Sequence, residues 1–216
     1  MLHDKDIREP LFNYLEDVFG KIRIMEEKMM GRSRADVLMV IEDAIVGIEI
    51  KSDADTYTRL SSQVKDYDQY FDYNIIVAGT AHGSHVKEHV PEYWGIITVE
   101  EVDGKPDFYM LRKPEINPNV EIANKIRILW RPELAMLQEK YEMPKYAYLS
   151  KSAVTAKILK FKEDDIATLN HDISELLFER DYEKMLADIA EYRKAATPRR
   201  RGQKRSTRIK RIRKKL

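Results

Sequence analysis

The segment from Val37 to Lys51 constrains this chain more than any other. The apolar run Val37–Ile41 is separated from the strand that follows it only by Glu42-Asp43, and that polar pair is the natural turn of a hairpin. The strands fall near 35–41 and 44–51. In the second strand Val46, Ile48 and Ile50 point to one face, while Glu49 and Lys51 point to the other. A two-residue turn puts position 41 opposite 44, and therefore Asp36 opposite Glu49, with Cβ atoms roughly 5 Å apart. Like charges opposed on a half-buried sheet are destabilising, and a buried charge without a partner costs several kcal/mol. A divalent cation removes that cost, because Mg²⁺ is typically held by one or two carboxylates plus substrate phosphate oxygens.

The surroundings of the hairpin read as a mixed α/β layer. Residues 4–19 carry Ile7, Leu11, Tyr14, Leu15 and Val18 at helical spacing, with Gly20 as the stop. Residues 21–27 alternate as a first strand, and 30–34 form a basic, Gly-containing loop. Residues 56–71 make an amphipathic helix through Tyr57, Leu60, Val64, Tyr67 and Phe71. Asp53 and Asp55 precede it as N-terminal caps. Strands follow at 73–78, 93–99 and 108–112, the last after an Asp103-Gly104 turn, with a short helical piece at 82–89. Pro114 and Pro118 mark a boundary. Beyond it the pattern is helical, at about 119–130, 132–142, 151–162 (N-cap Ser150) and 165–194, the last either continuous or broken near Arg180. The expected organisation is a core over 1–115, a helical appendage over 116–196 and a basic tail over 197–216.

Composition excludes several classes. The 216 residues include no cysteine, so disulfides, thiolate metal sites and a cysteine nucleophile are ruled out. No run of 18 apolar residues exists to span a membrane, and the acidic start is unlike a secretory signal, which suits the cytoplasm. The net charge of +1 hides an asymmetry. Residues 197–216 hold eleven Lys/Arg and no acid, leaving 27 basic against 37 acidic residues elsewhere, a balance of −10. Such a tail is expected to grip a polyanion through Arg199, Arg200, Arg201, Lys204 and Arg205, although a solvated tail has the same composition.

Glu49-Ile50-Lys51 alone is a weak string. Its weight comes from Asp36 thirteen residues earlier and from Gln63 and Tyr67, which stand at i and i+4 on one face of the following helix. With these residues, positions 4–113 resemble the PD-(D/E)XK nuclease superfamily, in particular its RecB-like and Holliday-junction-resolvase-like cores, as a small prophage-type or bacterial member. The resemblance implies a restriction-endonuclease-like αβββαβ core. In it Asp36 and Glu49, with the Ile50 carbonyl, hold Mg²⁺ (or Mn²⁺), and Lys51 acts beside them. Gln63 and Tyr67 match the Gln-x-x-x-Tyr helix of the RecB-like branch. The resemblance also implies a glutamate from the first helix, with Glu9 the best candidate and Glu16 the next. Ala35 stands where many members have proline.

The activity so implied is metal-dependent hydrolysis of phosphodiester bonds in DNA, with Arg32 and Arg34 placed to clamp phosphates. The alternatives are a catalytically silent nucleic-acid-binding module of the same fold, or a module that docks a protein partner or a second copy through its helical region. Two further groups keep both readings open. His82, His85 and His89 share a helical face that a metal could use, or they are surface and packing residues. Trp130, Tyr141, Tyr146 and Tyr148 could stack on bases, or they pack helices together.

Overall fold

A computed structural model describes residues 2–30, 32–181 and 187. The chain divides into two units, Met1–Arg180 and Asp181–Leu216. The five tail residues singled out above, Arg199, Arg200, Arg201, Lys204 and Arg205, lie outside the described residues.

The first unit is a six-stranded mixed sheet between helices. Its order along the chain is α1 (Asp4–Phe19), β1 (Arg23–Met30), β2 (Ser33–Ile41), β3 (Ala44–Lys51), α2 (Leu60–Tyr70), β4 (Tyr73–Gly79), α3 (Thr80–Gly83), β5 (Gly95–Val102) and β6 (Lys105–Arg112). Four helices follow: α4 (Ile122–Lys125), α5 (Arg131–Lys140), α6 (Lys151–Phe161) and α7 (Ile166–Phe178). The strands lie side by side in chain order. Pairing is antiparallel from β1 to β3, parallel from β3 to β5, and antiparallel again at β6. The change of direction comes from α2, which carries the chain back across the sheet between β3 and β4.

Burial follows from this layering. β3 is buried at every position, as a central strand covered on both faces must be, whereas the edge strand β6 alternates exposed and half-buried residues. On one face Val37, Met39, Val46, Ile48, Ile50, Ile75 and Val77 pack under Ile7, Leu11 and Leu15 of α1. On the other, Leu38, Val40, Ile45, Ile76 and Ala78 pack under α2 and under residues of α5, α6 and α7.

That second core corrects the domain boundary expected at 115/116. The helices beyond Pro118 share one hydrophobic cluster with the sheet, and their buried polar groups lock onto it. Lys125, fully buried, donates to Asp72, whose carboxylate also accepts the Ile45 N–H at 2.6 Å. Arg180 donates two 2.7 Å bonds to Glu133, both residues buried, with its guanidinium 4.8 Å from the Trp130 ring.

Other differences are local. The pairing of β1 with β2 runs on into the stretch expected as an open loop, since Met30 pairs with Ser33 and Met29 with Arg34. β6 starts at Lys105, directly after a two-residue turn in which Asp103 and Gly104 both take positive φ, as a type I′ hairpin requires. The helix expected over 119–130 is a four-residue α4 followed by a single 3₁₀ turn. Among the described residues, no helix is long and apolar enough to cross a membrane.

Candidate active site

The hairpin register is the one the two-residue turn demands: Ile41 pairs with Ala44, Val40 with Ile45, Met39 with Val46 and Val37 with Ile48. Asp43 takes the left-handed conformation (φ 63°), which a short polar side chain tolerates. The ladder stops at Val37–Ile48, and there the two strands open. The Ile50 N–H, which an unbroken ladder would direct at residue 35, instead donates to Asp36 Oδ2 at 2.9 Å. N–H and C=O of one residue point to the same side of a strand, so the Ile50 carbonyl also faces the Asp36 side.

Helix α2 brings the remaining groups into place by matched spacing. Four residues along a helix advance about 6 Å, nearly the ~6.7 Å of two residues along a strand. Phe71 and Tyr67 therefore lie over Gly47, Tyr67 over Glu49, and Gln63 over Glu49 and Lys51. The Tyr67 hydroxyl lies 2.7 Å from Glu49 Oε2 and 3.1 Å from the Ile48 carbonyl, and accepts the Asp36 N–H at 3.3 Å. Lys51 Nζ donates to Glu49 Oε1 at 2.7 Å and to Gln63 Oε1 at 3.1 Å, while the Gln63 amide donates to Glu49 Oε1. Glu49 and Lys51 are buried (1% and 5% exposed), and Asp36 is half-buried. The structure thus unites Asp36, Glu49, Lys51, Gln63 and Tyr67.

A carboxyl group beside another carboxylate in a water-poor site is costlier to ionise. Burial and then Glu49 push the Asp36 carboxyl up to about 7, against the Ile50 N–H and Arg8, which pull it down. Burial, with Glu49 and Asp36 beside it, keeps the Tyr67 hydroxyl protonated well past the usual phenol range. The available donors are two carboxylates and one backbone carbonyl, all hard oxygen, the set that suits Mg²⁺ or Mn²⁺.

The first helix contributes differently from expectation. Glu9 is exposed and so is Glu16; the residue of α1 that reaches the site is Arg8, about 100° round the helix from Glu9. Arg8 Nη1 donates to the Asp36 carbonyl at 3.1 Å, and Nη2 lies 3.6 Å from Asp36 Oδ1. Asp4 and Glu26 hold the same guanidinium at 2.7 and 3.3 Å. The Asp4/Arg8 spacing of i and i+4 is visible in sequence, but its aim at Asp36 depends on how α1 lies across the sheet. Gly47 is likewise silent in the sequence. A Cβ there would meet Phe71 Cδ2 at 2.1 Å, so only glycine lets α2 approach this closely.

Other candidates fall elsewhere. Arg32 and Arg34 are exposed, Arg32 at the β1–β2 tip and Arg34 on β2, two residues before Asp36. Asp53 and Asp55 do not cap α2. Asp55 accepts from the Ser52 N–H and hydroxyl at 2.9 and 2.6 Å, and Asp53 accepts the Ala81 N–H at 2.9 Å, fastening the segment after β3 to the start of α3. The three histidines do not converge as ligands. His82 and His89 pack on the Tyr57 ring, with centroids 4.6 and 4.2 Å away, and His85 lies 3.6 Å from Glu88. Among the described residues, the one His/acid group close enough to share an ion is His171, Asp172 and Glu175, remote in sequence from the hairpin, and Lys140 pairs with both of its carboxylates.

Comparison with known proteins gives three results. No curated sequence matches the chain. Among solved structures, Pyrococcus furiosus SfsA in complex with Ca²⁺ is 15% identical, with a TM-score of 0.30 over 55% of this chain. The chain spans 62% of the length of that protein. The family described as bacteriophage P4 protein cII matches residues 2–191, nearly the whole chain. This chain therefore belongs to the bacteriophage P4 protein cII family.

Proposed function

We propose that this protein is a metal-dependent nuclease of the PD-(D/E)XK superfamily that hydrolyses phosphodiester bonds in DNA, in DNA processing, defence or mobile-element biology. One observation carries the reading: Asp36 Oδ2 takes the Ile50 N–H where the β2–β3 ladder opens, beside a buried Glu49–Lys51 pair held by Gln63 and Tyr67. Asp36, Glu49 and the Ile50 carbonyl would hold Mg²⁺ or Mn²⁺. When bound, such an ion lowers the pKa of water and offsets charge on the phosphate oxygens.

The chain's own groups have separable tasks. Tyr67 and Gln63 hold the Glu49 carboxylate in one orientation, so little reorganisation is left for the reaction itself. Lys51 presents an ammonium at the site, where negative charge develops on the phosphate. Arg8 fixes Asp36 through both its carbonyl and its carboxylate. Arg32 and Arg34 offer phosphate contacts on the same hairpin.

Arg8 is also the observation that favours a second reading, a metal-free module that binds nucleic acid without cutting it, because its guanidinium already offsets part of the Asp36 charge. Incubating plasmid and linear DNA with Mg²⁺, Mn²⁺ or EDTA separates the two. The enzyme reading expects cleavage that requires the metal and is lost in Glu49→Gln and Lys51→Ala. Binding with no cleavage under any metal condition refutes it.

A further inference from the structure

The first helix brings a base to the site where the nuclease resemblance implies an acid. Arg8 engages all three of its guanidinium nitrogens there. Nε donates to Asp4 at 2.7 Å, Nη1 meets Glu26 at 3.3 Å and the Asp36 carbonyl at 3.1 Å, and Nη2 stands 3.6 Å from Asp36 Oδ1. The side chain is only 16% exposed, and the helix that carries it is anchored by Ile7, Leu11 and Leu15, all fully buried. This cation is therefore a fixed part of the site.

The Asp36 carboxylate is bracketed as a result. On the β3 side its Oδ2 takes the Ile50 N–H at 2.9 Å, and on the α1 side its Oδ1 faces the guanidinium. What remains for a further cation is the side shared with Glu49, the carboxylate whose charge acts most strongly on Asp36.

Charge limits how much this corner can take. Four carboxylates, Asp4, Glu26, Asp36 and Glu49, stand against two cations, Arg8 and Lys51, a balance of −2. One divalent ion neutralises that balance. Two would leave a surplus of +2 beside buried groups, and uncompensated charge away from water is costly. An acid at position 8 would instead bring the balance to −4, the charge of two such ions. The guanidinium also repels an incoming ion directly. Charges of +1 and +2 about 6 Å apart, even in the dielectric of bulk water, weaken binding roughly tenfold.

We propose that Arg8 is a built-in counter-charge that limits this site to a single divalent ion, held between Asp36 and Glu49. That an ion binds at all rests on the nuclease reading; how many bind is what Arg8 decides. A displacement with one ion on the attacking oxygen and another on the leaving oxygen is then closed to this site. Arg8 is a positioning residue, acting through Asp36.

Ions are counted on the full-length protein without DNA. Mn²⁺ is titrated and its free form read by electron paramagnetic resonance. Asp36→Asn is titrated in parallel, so that only ions lost in that variant are assigned to the site. The parent should bind one such ion. Arg8→Gln should bind one about tenfold more tightly, and Arg8→Glu should bind two. Arg8→Lys keeps the charge but not the planar fork, and should match the parent; a purely structural role would make it behave as Arg8→Gln does. Should Arg8→Glu fail to fold, the tightening in Arg8→Gln decides alone. Two ions in the parent, or an Arg8→Gln affinity equal to or weaker than the parent's, overturns the single-ion proposal and leaves the nuclease reading standing. If no ion is lost in Asp36→Asn, both fall.

Discussion

Gly47→Ala should destabilise the protein and disorganise its site together, because the space over residue 47 is already filled. A Cβ at that position would lie 2.1 and 2.5 Å from two Phe71 ring carbons and 2.7 Å from Tyr67 Cδ1. Carbon atoms rest at about 3.5–4.0 Å, so α2 must retreat by roughly 1.5 Å or the rings must leave their rotamers. Overpacking of this kind costs about 1–3 kcal/mol. A retreat of that size also stretches the 2.7 Å contact between the Tyr67 hydroxyl and Glu49 to about 4 Å, beyond hydrogen-bonding distance. Urea denaturation with an unchanged m-value reads the stability loss. Gly83→Ala is the internal control, since its nearest foreign atom is Thr98 Cγ2 at an ordinary 3.4 Å, and it should be neutral or slightly stabilising. If Gly47→Ala lies within about 0.5 kcal/mol of the parent, the close seating of α2 on β3 is refuted.

The remaining predictions concern charge. Asp36 binds a proton more readily in the folded protein, where its carboxyl is pushed up to about 7, than in the unfolded chain at 3.8. Its contribution is therefore fully present below the unfolded value and is lost as pH rises through the folded one, so metal-free stability should fall between these two values. Asp36→Asn should flatten that fall and, in EDTA above neutral pH, stabilise the protein by roughly 0.5–2 kcal/mol; an undiminished pH slope would count against the crowded-carboxylate account. Arg180→Ala leaves Glu133 buried without its cation and should cost about 3–5 kcal/mol, while Arg180→Met combined with Glu133→Leu should cost much less. Equal losses in both variants would show that the pair is not what ties the helical region to the sheet.

The constellation at the hairpin was legible because it rests on local periodicity. Alternation along β3 puts Glu49 and Lys51 on one face, a two-residue turn sets the Asp36 register, and helical spacing aligns Gln63 with Tyr67; each is a short-range consequence of backbone geometry. Arg8 and Gly47 were not legible in the same way. Arg8 and Glu9 are neighbours in sequence, and only the way α1 lies across the sheet decides which of them meets Asp36. Gly47 could have been a bulge, a bend or a weak strand position until the rings of Tyr67 and Phe71 were seen above it.

By itself, then, the sequence determined the strand pairing at the hairpin, the face on which the acidic and basic groups emerge, and the helix that follows them. Tertiary structure alone decided that the helices beyond Pro118 join the sheet in one core and that Asp36 caps an opening ladder. The physical reason is the range of the forces involved. Backbone geometry repeats over two to four residues, whereas desolvation and charge pairing depend on which distant segments exclude water from a group.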